Sequence, residues 1–136
     1  MSDSVMLAVN GGLMRGLAAN HHMLTAKASF VAEAQTAPCY RAWSIDDIHP
    51  AMMRTPNEGG KIALELWSVP VLNLPELFKS EPAGLCIGKV QLDDGREVFG
   101  MLGESFLCAK RTEITQFGGW RAYLKANGLN PQEKPK

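Results

Sequence analysis

The first regularity along the chain is the apolar run from Val5 to Val9, which ends abruptly in VNGGLMRG at residues 9–16. A run of that length before paired glycines reads as a short strand entering a tight loop. Asn20 suits a helix N-cap, so a short helix is expected through Met23 and Leu24. FVAEAQT at 30–36 has the two-residue period of a strand, with Phe30, Ala32 and Ala34 on one face and Val31, Glu33 and Gln35 on the other. YRAWSI at 40–45 continues as a strand after Pro38. DDIHPAMMRTPNEGG at 46–60 collects prolines, Asn and a glycine pair, and reads as a long excursion with a little strand inside it.

KIALELWSV at 61–69 is the clearest strand, with Ile62, Leu64 and Leu66 facing one way. LPELFKS at 74–80 places Pro75 in the first turn of a short helix. LCIGKVQL and REVFGML flank Asp93-Asp94-Gly95, whose Asp-Gly pair signals an antiparallel hairpin. WRAYLKANG at 120–128 makes a last helix closed by Gly128, and the polar NPQEKPK is expected to be a disordered tail over 130–136. No internal repeat or linker interrupts the pattern. It predicts a single α+β domain over 1–129 with short helices and a largely antiparallel sheet.

The length of 136 residues is enough for one domain with a real core. Fourteen Lys and Arg balance fourteen Asp and Glu, and no basic run is interleaved with aromatics. The electrostatic footprint of a nucleic-acid or anionic-membrane binder is therefore missing, and a small-molecule role fits better. Cys39, Cys86 and Cys108 are odd in number and far apart, against a zinc site or a disulfide scaffold, and read as reduced, mostly buried thiols. Asp3 and the short apolar run after it are unlike a secretory signal, and no segment has the length of a membrane span, so the expected location is the cytoplasm.

Candidate chemistry concentrates in a few places. The adjacent glycines admit two readings: a turn that needs positive φ, or a loop whose bare N–H groups approach an anion. From the residues alone the turn is the commoner use. His21 and His22 would project about 100° apart on a helix, so both rings are not expected in one pocket. Histidine suits proton transfer near neutrality, although a neutral surface or half-buried His is commoner. His49 lies before Pro50 with no carboxylate or thiol to complete a ligand set, so neither metal nor other cofactor is expected. Glu81, beside Lys79 and Pro82, has the ordinary reading of a solvated loop carboxylate. Packing and salt bridging account for Arg41 and Arg121, and Trp120 and Tyr123 are expected to close the core.

Taken in order, VNGGLMRG, NHHM, FVAEAQTAPCYR, ALELWSVP, LCIGKVQLDDGREVFGML and ITQFGGWRAYL resemble the C-terminal domain of allophanate hydrolase, from Val5 to Leu124. That family in turn resembles the gamma-glutamyl cyclotransferase fold, a small mixed, mainly antiparallel β-barrel with short helices. The signature of that fold is a strand followed by Tyr-Gly-Ser-Leu-x-x-Gly. Its counterpart here is Asn10, Gly11, Gly12, Leu13 and Gly16, with Asn in place of the aromatic. The resemblance implies that Gly11, Gly12 and Leu13 cradle an anion, with Asn10 and Asn20 also binding substrate. It implies a reactive role for His21, in the family's Asn-His pair. Glu81 falls near the catalytic Glu of the cyclotransferases, and Glu104 matches a Glu of the hydrolase domain with a structural role.

The chemistry implied is loss of carbon dioxide from N-carboxyurea, which requires protonation of the leaving nitrogen and makes His21 the candidate acid. A cyclotransferase would instead use Glu81 to take a proton from the substrate's amine before its attack on the gamma-carbonyl. A third reading is a non-catalytic, ligand-binding partner of a separate amidase. The chain has no Gly-Ser-rich nucleophile stretch with a Lys partner, so it is not an amidase by itself. The expected partners are a small carboxylate or ureido substrate, a separate amidase and a second copy of the chain as a homodimer, with no nucleic acid and no membrane.

Overall fold

The apolar N-terminal run becomes the central strand of the larger sheet. The computed structural model describes residues 3–129, and the tail expected at 130–136 lies outside them. β1 (Ser4–Val9) pairs antiparallel with β5 (Ala63–Pro70) and parallel with β7 (Glu97–Gly103). β2 (Ser29–Gln35) and β6 (Leu85–Gln91) complete a five-stranded sheet in the order β2-β5-β1-β7-β6. Leu7, Ala8 and Val9 are all buried, which is why β1 reads as continuous rather than alternating hydrophobicity. β6 and β7 form the hairpin signalled by Asp-Gly, with Gln91 opposite Glu97 and Gly95 at φ 90°.

A second sheet has three strands, β3 (Tyr40–Ile45), β4 (His49–Arg54) and β8 (Thr112–Glu113), in the order β4-β3-β8. Neither sheet closes on itself, so the barrel expected from the resemblance is not formed. The edge strands of the larger sheet meet through one isolated bridge, Thr36 with Leu92, instead of a continuous ladder. The α+β composition stands, with α1 (Asn20–Thr25), α2 (Leu74–Lys79), α3 (Ser105–Cys108) and α4 (Trp120–Ala126) all short. No described helix is long and apolar enough to cross a membrane.

Several local expectations need correction. The stretch at 46–60 holds a full strand, β4, entered through a tight turn in which Asp46 and Asp47 take φ of 56° and 59°. Pro50 weakened the strand signal, but β4 is an edge, where a missing N–H is tolerated. In β2 the register shifts between Phe30 and Ala32, so Phe30 and Glu33, opposite Trp67 and Glu65, share a face that Ala32 and Ala34 do not. Asn20 is the first helical residue of α1 rather than its cap, a position taken by Ala19. Of the three free thiols, Cys108 is buried and Cys39 half-buried, but Cys86 is exposed on the edge strand β6.

The main core gathers Leu7, Met23, Tyr40, Met52, Leu66, Leu77, Val90 and Ile114, closed by Trp120 stacked on Tyr123. Within this apolar setting lies one buried carboxylate. Glu65 lies on the β5 face opposite to that of Leu64 and Leu66, and both faces are covered, so its side chain is only 3% exposed. It accepts hydrogen bonds from Arg15 N (2.9 Å), Arg15 Nε (3.2 Å), Trp67 Nε1 (3.1 Å) and Arg121 Nη2 (3.1 Å). Arg121 Nη1 also donates to the Arg15 carbonyl at 3.0 Å, so both backbone groups of Arg15 are held. The loop that follows β1 is thereby fixed to β5 and α4. Removing the carboxylate strands two guanidinium groups, each half exposed, and costs less than a fully enclosed pair would. Glu65→Ala should lower the unfolding free energy by about 2 to 3 kcal/mol in chemical denaturation.

Candidate functional site

Where β1 gives way to its loop, a cavity of about 430 Å³ opens between the two sheets' ends and helices α1 and α2. One wall is the loop itself, Asn10 to Leu13. A second is His21 and His22 of α1. The β3–β4 turn and β4 supply Ile48, His49, Pro50 and Met52; Glu81 follows α2; Leu85, Met101 and Leu102 come from the β6–β7 hairpin.

The glycine pair is not a positive-φ turn. Neither Gly11 nor Gly12 has positive φ; the left-handed residue of this loop is Gly16, at φ 76°. Gly11 is required by packing, since a Cβ there would lie 2.7 Å from Pro50 Cδ. At Gly12 a Cβ would meet Ala19 at 3.4 Å, ordinary contact, so crowding falls toward α1. The carbonyls of this stretch are all engaged: Gly11 O accepts from Met14 N at 3.0 Å, Gly12 O from Ala19 N at 3.0 Å, and Leu13 O from Asn20 Nδ2 at 2.8 Å. By contrast, the N–H groups of Gly11, Gly12 and Leu13 donate to no protein acceptor among the described residues. Polar backbone groups ordinarily find partners, and successive unpaired N–H groups at a cavity wall suit an anionic oxygen.

The two asparagines support this loop from different sides. Asn10 is 7% exposed; its Nδ2 donates to Met101 O at 3.0 Å and lies 3.9 Å from Met52 Sδ, tying the end of β1 to β7 and β4. Asn20 does not line the cavity and acts through the Leu13 carbonyl. Both histidines of α1 line it, contrary to the helical-wheel expectation. The helix is one and a half turns long and the cavity spans its end, so rings 4.0 Å apart, His21 exposed and His22 half-buried, share one wall. His49 joins them, its Nδ1 within 3.0 Å of Pro50 O. Among the described residues no group of three His, Cys, Asp or Glu is arranged to hold a metal ion.

Glu81 differs most from its sequence reading. It is half-buried rather than solvated, no protein donor reaches its carboxylate among the described residues, and burial alone pushes its pKa up to about 7. Lys79 pairs with Glu76 instead, at 2.8 Å. Glu104 is exposed at the N-terminus of α3 and lies outside the cavity. Arg41 pairs with Glu113 and stacks on Trp43, also outside it. The residues that sequence reasoning missed are His22, His49 and the apolar wall from β4, β6 and β7. His22 had its place beside His21 as a signal, whereas His49 and the apolar wall lie in strands whose pairing had to be known first.

Comparison with known proteins fixes first the class of fold and then the family. The chain superposes on a gamma-glutamyl cyclotransferase with a TM-score of 0.54 over 93% of its length at 15% identity, which defines the fold alone. A uropathogenic E. coli-specific protein matches far better, with a TM-score of 0.89 and 46% identity over 90% of this chain and 97% of that one. Allophanate hydrolase from Kluyveromyces lactis gives a TM-score of 0.87 and 26% identity over 92% of this chain, but only 22% of that enzyme. The urea amidolyase of Lachancea kluyveri is 30% identical over 129 residues, 90% of this chain and 7% of that protein. Residues 5–125 match the model of the allophanate hydrolase C-terminal domain. The chain belongs to that family, and it spans under a quarter of those hydrolase and amidolyase relatives.

Two measurements probe this site. Gly11→Ala should cost about 1 to 3 kcal/mol through the clash with Pro50, whereas Gly12→Ala should stay within about 1 kcal/mol of the parent in either direction. Glu81 binds its proton more tightly folded than unfolded, so its contribution is favourable below the ordinary carboxylate range and is lost as pH rises through about 7. Glu81→Gln should therefore raise the thermal midpoint more at pH 8 than at pH 5.

Proposed function

We propose that this chain is a small-molecule acid–base enzyme acting on ureido or amide carboxylates, with decarboxylation of an N-carboxyurea-like substrate as its reaction. The observation that carries this reading is the meeting, in one cavity, of three N–H donors without protein acceptors and a carboxyl group titrating near neutrality. In the reaction the bond between the carboxyl carbon and the leaving nitrogen breaks; its electron pair goes to nitrogen, which takes up a proton, and the carboxylate departs as carbon dioxide. His21 is assigned as the proton donor, with Glu81 a second titratable group on the same cavity. The Gly11–Leu13 N–H groups orient the carboxylate. They must not grip it harder than the transition state, because its charge disperses as carbon dioxide forms.

Membership in the family supports this assignment, since relatives are allophanate hydrolases and urea amidolyases. The hydrolytic step that yields a carboxylated urea would fall to a separate amidase. A second reading is favoured by Glu81 itself: unprotonated above about 7, it suits a base that takes a proton from a gamma-glutamyl amine, which then attacks its own gamma-carbonyl.

The readings separate on mutation and on pH. In a decarboxylase His21→Ala should lower the rate about 100- to 10,000-fold, measured on N-carboxyurea generated in situ by a coupled amidase. Glu81→Gln should then be mild. A cyclotransferase reverses that order on gamma-glutamyl amino acids, and its kcat/KM rises with pH through about 7 as Glu81 loses its proton; were Glu81 the acid of a decarboxylase, activity would instead fall above about 7. Absence of turnover on both substrates, with a small carboxylate still bound, would remove both enzyme readings and leave a binding protein.

A further inference from the structure

We infer that the cavity is built for a mono-anionic ureido or amide carboxylate bearing an apolar substituent, rather than for N-carboxyurea itself; this rests on the reading of the Gly11–Leu13 N–H groups as the carboxylate site. The size of the cavity is the first ground. Cavities of roughly 300 to 1,000 Å³ enclose molecules far larger than a urea with one carboxylate, and this one holds about 430 Å³. N-carboxyurea seated at the loop would leave most of it empty.

The second ground is what lines the remainder. Beyond the loop and the histidines, the wall is Met52, Leu85, Met101 and Leu102, with Ile48 at the mouth, where it is 47% exposed, and the Ser80–Pro82 segment after α2 on one side. Asn10, the polar side chain between these residues and the loop, has its amide N–H already engaged by Met101 O. An apolar substituent would displace water from this wall and cover Ile48, and the unbranched methionines can adapt to its shape.

The third ground is charge. No Lys or Arg lines the cavity, and its titratable cations are His21, His22 and His49, so the wall of Met52, Leu85, Met101 and Leu102 gives a phosphate or a second carboxylate no cationic partner of its own. Glu81, without a donor to its carboxylate, would repel a second anion whenever it is ionised. One negative charge at the loop and an uncharged far end is the combination the walls accept.

Isothermal titration of the full chain with acetylglycine, butyrylglycine and hexanoylglycine tests this directly, because each carries one carboxylate and one amide while only the tail grows. Each buried methylene should tighten binding up to roughly fourfold, so the series should span about tenfold or more. Succinylglycine, with a second carboxylate on its tail, should bind more weakly than butyrylglycine. Ile48→Asn, an exposed change at the mouth, should flatten the series while the thermal midpoint is retained. If acetylglycine binds and its longer homologues bind no tighter, or if succinylglycine binds best, the inference is overturned and the carboxylate loop stands. If no member binds to folded protein, both fall.

Discussion

A carboxylate on a central strand, nearly sealed from water, is tolerable only if it is fully partnered, and the partners of Glu65 dictate where the rest of the site goes. Arg15 supplies two of them, one from its backbone, so the chain leaving β1 cannot wander from β5. Arg121 supplies another and holds the Arg15 carbonyl, so α4 is tied to the same point. Two residues along α4, Tyr123 donates to Asp47 at 2.6 Å, and Ser44 does the same, which holds the left-handed β3–β4 turn and with it Ile48 and Pro50. Pro50 in turn packs where a side chain on Gly11 would have to be. The string GGWRAYL touches no part of the cavity, yet through Arg121 and Tyr123 it sets both of the walls that Gly11 joins.

The electrostatics of the cavity follow from the same economy of cations. Arg15 and Arg121 are committed to Glu65, and Arg41 to Glu113, so none of these reaches the cavity. A Lys or Arg beside the loop would grip a carboxylate strongly and would also pull the Glu81 pKa down toward the usual carboxylate range. Its absence leaves two conditions that belong together: an anion site made of dipoles, and a carboxyl group left near neutrality by burial alone. For a substrate that must lose its charge as it reacts, weak orientation with a nearby proton source is better matched than tight binding by a guanidinium.

The parts of this arrangement legible in the sequence are those fixed by local rules. The Asp-Gly hairpin, the helix opened by Pro75, the alternation of Leu64 and Leu66, and the family strings all follow from neighbours a few residues apart. What escaped depends on pairing over distance. The full extent of β4, expected only as a little strand, was hidden by Pro50 because edge position is a property of the sheet, not of the segment. The bulge that turns Phe30 toward Trp67 is a register shift against β5 that alternation within β2 cannot reveal. The burial of Glu65 is not legible in the alternation of its strand, because it depends on Arg15 and Arg121, far away in sequence. Glu81 looked solvated because desolvation comes from the fold and not from Lys79 beside it.

The barrel expectation failed for a related reason, and the failure bears on the site. Closure would require β2 and β6 to pair along their length, but β2 is followed by β3 of the second sheet and β6 turns back into β7, leaving the Thr36–Leu92 bridge alone. The second sheet then packs across the end of the first, bringing Pro50 and Met52 of β4 against Gly11 and Asn10. The N–H groups after β1 thus face a cavity that β4 helps to wall.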